Sequence, residues 1–196
     1  MSINWIPAFT QESHSGTKEV TLLSQLLTDR NVFIQGEINA ETANNFLIQI
    51  MYLKKSNEPV NIFINSGGGE VNAGMFIYDL IQSLEMEVNI YCTGMAASMA
   101  AVILAGGQAG HRYILPHSKT MIHEPLLSQG VGGSASSIKN ISDSILQTMK
   151  LLNGVLSKHT GRTMKELEKA TSFDHYMDAE ESVAFGICDK VVDHIF

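Results

Sequence analysis

The alternation of apolar and polar positions divides this chain into short strands and amphipathic helices. Asn31–Ile38 reads as a strand, and residues 41–54 place Ala43, Phe46, Leu47, Ile50 and Met51 at the i, i+3, i+4, i+7 spacing of one helix face. Val60–Asn65 is a β-rich run closed by Ser66-Gly67-Gly68-Gly69, followed by a helix with Val71, Met75, Tyr78 and Ile81 on one side. Val88–Cys92 is another apolar strand. A turn at Gly94 then leads to a helix of small apolar residues that starts around Ser98 and stops at Gly106-Gly107. Arg112–Leu115 and Thr120–His123 read as two further short strands. Ile138, Ile141, Ile145, Met149, Leu152 and Leu156 mark a long helix that ends near Gly161. Thr163 with Glu166, and Asp178 with Glu181, have capping-box spacing and predict two short helices, and Lys190–Val192 suggests a last strand.

Strand, Gly-rich turn and helix thus occur twice in succession, which predicts an α/β fold with parallel strands joined by right-handed crossovers. Residues 1–20 are polar and mixed, contain Pro7 and Gly16, and show no sustained period; they are expected to form a mobile arm. Residues 21–196 show no internal boundary and are expected to form a single domain.

Composition narrows the function classes. Hydrophobic content of 44% and charged content of 17% suit a packed core. The net charge of −7, with no basic run, argues against a nucleic-acid or anionic-membrane partner. Met95–Ala105, the longest apolar stretch, falls short of the roughly 18 residues that a membrane span requires. Cys92 and Cys188 lie far apart, with neither metal-ligand spacing nor a framework of pairs. No metal site is expected, and a reducing cytoplasm is the simplest setting. The leading Met-Ser-Ile-Asn-Trp-Ile-Pro lacks the basic start and apolar core of a signal peptide.

Ser98 is the one hydroxyl in the small, apolar stretch 94–107. A nucleophile needs such a setting: a tight reversal without bulky neighbours, and backbone N–H groups free to receive an oxyanion. A serine there also reads as an ordinary N-cap. The run Gly67-Gly68-Gly69 offers outward N–H groups, although for the run alone a tight turn that merely needs positive φ is the favoured explanation. Adjacent parallel strands would bring both turns to one sheet edge, where the N–H groups of Gly68 and Met99 would converge on one oxyanion. Among seven histidines, His123 stands at a strand end that Pro125 terminates, a fair place for a base. His111, His117, His159 and His194 read as solvated, and His14 lies in the arm. Asp174 sits in a short link and is not needed as a cap, because Asp178 serves there.

Four segments in order and spacing resemble the proteolytic subunit of the Clp protease, the ClpP family. They are Phe-Ile-Asn-Ser-Gly-Gly-Gly-Glu-Val at 63–71, Gly-Met-Ala-Ala-Ser-Met at 94–99, Met-Ile-His-Glu-Pro at 121–125 and Asp-His-Tyr-Met-Asp-Ala-Glu-Glu-Ser at 174–182. The resemblance implies a ClpP/crotonase-like αββ superhelix with a protruding handle, a strand plus long helix over about 124–158. It implies a serine endopeptidase with Ser98 as nucleophile, His123 as base, Asp174 as orienting acid, and Gly68 and Met99 as oxyanion donors. The stretch Gly130-Val131-Gly132-Gly133 matches the region where substrate pairs as an added strand, and a plain flexible loop is the alternative. Further implications are heptameric rings, stacked in pairs around a chamber, and an AAA+ unfoldase that delivers unfolded protein. That partner, not this chain, uses ATP, and no cofactor is expected here. Phe63 and Tyr91 match positions of the pocket that docks the unfoldase, and the arm at 1–20 would line the axial opening.

The sequence departs from the family pattern at three places. Gly67 stands where Pro is usual, Ser172 and Phe173 replace an Asp-Arg pair that links the rings, and Leu126-Leu127-Ser128 replaces a Gly-rich start of the handle. The expectation is altered ring stacking, with activity that needs a second, more typical ClpP paralogue or the unfoldase. The alternative function is a weakly active structural ring partner.

Overall fold

In the computed structural model, which describes residues 8–13, 16–127, 130 and 132–195, the first elements arise where no periodicity predicts any. Strands β1 (Ala8–Ser13) and β2 (Gly16–Thr21) pair antiparallel as a hairpin, and a short helix α1 (Leu22–Thr28) follows. The apolar side chains here stay largely open to solvent, Phe9, Leu22 and Leu23 among them, so no one-sided period marks these elements. Residues 1–7, His14, Ser128 and Val131 lie outside the described residues.

The predicted alternation then appears. Strand β3 (Asn31–Ile38) leads to α2 (Ala40–Leu53), β4 (Val60–Gly69), α3 (Val71–Gln82), β5 (Val88–Ala97) and α4 (Met99–Ala105). Strands β6 (Arg112–Ile114) and β7 (Lys119–Ile122) precede the long helix α5 (Ala135–Thr160), α6 (Met164–Thr171), β8 (His175–Met177), α7 (Ala179–Phe185) and β9 (Lys190–Val191). Both predicted capping boxes are present, at Thr163–Glu166 and Asp178–Glu181. The main sheet has the order β3-β4-β5-β6-β9 with parallel neighbours, so the fold is mixed α/β with a mostly parallel sheet. Its apolar side chains form one core with the inner faces of the helices: Ile34, Ile62, Ile64 and Ile90 are fully buried, as are Ile77 of α3 and Ile103 and Leu104 of α4.

Two expected turns prove to be strand. β4 continues through Gly69 and β5 through Ala97, because irregular pairing absorbs the extra residues. The register between β4 and β5 passes from Ile64↔Cys92 to Ser66↔Ala96, and the Asn65 side chain fills the gap by accepting the Met95 N–H at 3.2 Å. The bulged β5 then forks. Its first half pairs with β6 and its second half, Met95–Ala97, pairs with β7. Strand β8 closes this branch antiparallel to β7. Residues 123–127 carry no strand, so the strand half of the expected handle has no counterpart among the described residues. Pro125 has no N–H to give to a ladder there.

Candidate active site

The branch made by the far end of β5, β7 and β8 brings together three side chains distant in sequence. Ala97 pairs with Met121 across β5 and β7, and the Ser98 N–H continues that ladder to the Met121 carbonyl at 2.8 Å. Ile122 pairs with His175 across β7 and β8. The next step of the same antiparallel register sets His123 opposite Asp174. Backbone pairing therefore delivers Ser98, His123 and Asp174 to one spot, each just past the end of its strand pairing.

Their side chains form a hydrogen-bonded line. His123 Nε2 lies 2.9 Å from Ser98 Oγ, and His123 Nδ1 lies 3.1 Å from Asp174 Oδ1. Ser98 stands at the N-cap position of α4 but its hydroxyl makes no cap bond. Its backbone is held at φ 54°, ψ −122°, a region that costs a residue with a Cβ on the order of 1–3 kcal/mol. The serine thus neither caps its helix nor relaxes, and its hydroxyl meets an imidazole instead.

A family model described as Clp protease matches residues 14–195. The chain belongs to the Clp protease family. Membership makes it a peptidase, a hydrolase of peptide bonds, of a family that implies ring assembly and an unfoldase partner. Among the described residues no helix is long and apolar enough to cross a membrane.

For this Clp family member the floor of the site is set by close backbone approach. Gly68 has φ +94°, and a Cβ on it would stand 2.7 Å from both the Ala97 carbonyl oxygen and Ser98 Cβ, so only glycine fits beneath the serine. The Gly68 N–H donates to Ser66 Oγ at 3.0 Å. Met99 is the first residue of α4, so its N–H belongs to the first turn, which has no intrahelical acceptor. A cavity of about 260 Å³ opens beside Ser98, with Gly67, Gly69, Met99, His123 and Asn153 in its walls. Gly130, Gly132 and Gly133 lie ahead of α5 and outside that cavity, all of them exposed.

Two residues of this region escape a reading of the sequence. Gly69 lines the cavity where Gly68 does not, and nothing in a run of three glycines separates them. Asn153 also lines it; the available signal is a polar residue between Leu152 and Leu156 on an otherwise apolar helix stripe. Not every remaining histidine is solvated as expected. His159 is half-buried and bonded to the Tyr78 hydroxyl at 2.8 Å, and burial, followed by the charges of Lys158 and Arg112, holds its pKa below the usual value. His111 is partly covered and bonded to Asn89 Oδ1 at 2.9 Å. Burial pushes the Cys92 thiol up to about 11 and the Cys188 thiol up to about 12, so both stay protonated in the core at neutral pH. Ser172 closes α6 and donates its hydroxyl to the Lys169 carbonyl, whereas Phe173 is 60% exposed and stacks on His175.

Proposed function

We propose that this chain is the serine-type peptidase subunit of an ATP-dependent Clp protease, cleaving unfolded polypeptides and short peptides through an acyl-enzyme. The observation that carries the reading is the hydrogen-bonded line from Ser98 through His123 to Asp174, on a serine held at strained φ and ψ. In this mechanism Ser98 Oγ attacks the peptide carbonyl carbon while its proton passes to His123 Nε2. Collapse of the tetrahedral intermediate breaks the C–N bond, and His123 gives that proton to the leaving amine. Water then repeats the sequence on the ester and frees Ser98. Asp174 accepts the Nδ1–H bond, holding the imidazole in the required tautomer and stabilising its charged form.

The Met99 N–H is the natural first donor to the oxyanion. The resemblance names Gly68 as the second, and its N–H must exchange its bond to Ser66 Oγ for one to the substrate oxygen. Loss of one such donor costs on the order of 10²–10³ in rate. The test is Ser98→Ala: labelling by a fluorophosphonate should vanish and cleavage of a fluorogenic dipeptide should fall by at least about 10³-fold. Labelling that persists in Ser98→Ala would remove Ser98 from the role.

A second reading, a structural ring partner with little activity of its own, draws on Ser172 and Phe173. Neither can form the usual ring-linking ion pair, so assembly would depend on a more typical paralogue or on the unfoldase. The stacked rings of Phe33, Phe63, Tyr91 and Tyr113 across β3 to β6 support a docking surface for that unfoldase. Sedimentation of the pure protein separates the two readings: a stable, active double ring without a partner rules out the second.

A further inference from the structure

The two N–H groups assigned to the oxyanion are held differently in the free subunit. That of Met99 lies in the first turn of α4, where no intrahelical acceptor reaches it. That of Gly68 is already bonded to Ser66 Oγ at 3.0 Å. Ser66 is buried, and its hydroxyl donates in turn to the Gly36 carbonyl at 2.5 Å. Gly36 stands where the register of β3 on β4 shifts, between Gln35 and Glu37. One hydroxyl therefore ties the glycine run to the irregular step of β3 and occupies an N–H that the reaction needs. The cavity beside Ser98 agrees with this: Gly67 and Gly69 line it, and Gly68, buried between them, does not.

We infer that Ser66 is a positioning residue whose hydroxyl latches the Gly68 N–H, so that the oxyanion site is completed only when negative charge develops on the substrate oxygen. The inference rests on the peptidase reading above and adds how its oxyanion site is controlled. A neutral substrate carbonyl is no better an acceptor than the hydroxyl, and the latch stays closed in the ground state. An alkoxide makes a charge-assisted bond about twice as strong, and the exchange then becomes favourable. No covalent bond changes; the N–H leaves one oxygen for another. The movement is a turn of the peptide plane between Gly67 and Gly68, neither of which has a Cβ, and nothing lies within 4 Å of the place a Gly67 Cβ would take. Removal of the latch should therefore speed the reaction. In Ser66→Ala the buried N–H has no partner before the oxyanion forms, so the oxyanion meets an unmet donor instead of displacing a met one. A merely structural role predicts the opposite sign, because loss of the bond to Gly36 loosens the loop.

The test measures kcat/KM on a fluorogenic dipeptide, and the Ki of a matching peptide aldehyde, whose adduct with Ser98 carries the oxyanion. Both are taken on the assembled protein as wild type, Ser66→Ala, Ser66→Cys and Ser98→Ala. Ser66→Ala should raise kcat/KM by about threefold to tenfold and lower the aldehyde Ki by the same factor. Ser66→Cys, whose sulfur accepts weakly, should fall between the two. An unchanged or lower kcat/KM in Ser66→Ala overturns the inference while the peptidase reading stands, and so does a rise without the matching fall in Ki. Should the variants fail to fold, a crystal structure of the wild type with the aldehyde bound decides. Gly68 N should then lie within about 3.2 Å of the adduct oxygen and beyond about 3.5 Å from Ser66 Oγ, and a Gly68 N–H still on Ser66 overturns the latch. Wild type that neither cleaves the dipeptide nor binds the aldehyde, or Ser98→Ala that still cleaves, overturns the peptidase reading and this inference with it.

Discussion

Helices α4 and α5 are built on the same physical rule and end in opposite situations. All seven residues of α4 are buried, packed between the sheet, α3 and α5. Of the 26 residues of α5 only Leu152, Asn153 and Leu156 are buried, all near its C-terminal end. Its apolar stripe continues through Ile145, Ile141 and Ile138, and the described chain covers that half only in part: Ile138 is exposed, and Ile141 and Ile145 face an open groove beside Leu126 and Leu127. The two helices meet at one cation: Arg112 Nη1 donates to the Ala105 carbonyl at the end of α4 and to the His159 carbonyl at the end of α5. Asp189 balances that charge through a 2.9 Å bond to Arg112 Nε. The contrast teaches that an apolar stripe identifies which face of a helix seeks cover, while only the rest of the fold, or another subunit, decides what supplies it.

The sharpest way to break this contrast is a cavity in α4. Leu104→Ala removes a fully buried side chain and should cost about 2–5 kcal/mol, read as a lower urea midpoint. A cost under about 1 kcal/mol would mean that α4 is not the anchor described here. Next is the shared cation. Asp189→Asn leaves Arg112 buried without its counter-charge and should cost about 2–4 kcal/mol in thermal or urea unfolding, reduced from a fully buried pair because Asp189 is partly exposed.

Asp189 also sets an acid limb. Burial alone would raise its pKa, but the hydrogen bonds and charge of Arg112 outweigh it and the net shift is downward. The unfolded chain therefore holds more protons at this site in acid. Stability from the pair is complete above the ordinary carboxylate value, about 3.9, and is lost as pH falls through the lower folded value. Asp189→Asn should remove this part of the acid sensitivity in unfolding curves from pH 7 to 2.

A smaller effect sits at the end of α5. His159 titrates lower in the folded chain than in the unfolded one, so below about pH 6.5 the unfolded state takes up more protons and stability declines. His159→Gln, which can still bond the Tyr78 hydroxyl, should flatten that decline. Smallest of all, Leu146→Ser on the exposed stretch of α5, where Leu146 is 47% exposed, should change subunit stability by less than about 0.5 kcal/mol. A larger loss in dilute, unassembled protein would show that α5 is already covered within one subunit.

Much of this organisation is legible from residue spacing, because local rules govern it. The strand at Asn31–Ile38, the stop of α5 at Gly161 and both capping boxes depend on neighbours within a turn or two. The hairpin β1–β2 and helix α1 are not legible, since Phe9, Leu22 and Leu23 stay exposed and α1 turns only a half-buried side, with Leu27, toward the core. The glycine segments read as turns because positive φ suggests reversal; only the long-range pairing of Gly68 with Glu37 and of Gly69 with Ile38 makes them strand.

By itself the sequence determined the alternation of strands and helices, the choice of small residues around Ser98, and the family to which those motifs belong, because side-chain period, volume and backbone permissiveness are properties of residues and their near neighbours. The tertiary structure alone decided that β5 forks, that β7 and β8 carry His123 and Asp174 to Ser98, that the Gly68 N–H is held by Ser66, and that Asn153 of α5 lines the cavity beside Ser98. Those outcomes depend on register between segments many residues apart, which no local pattern encodes.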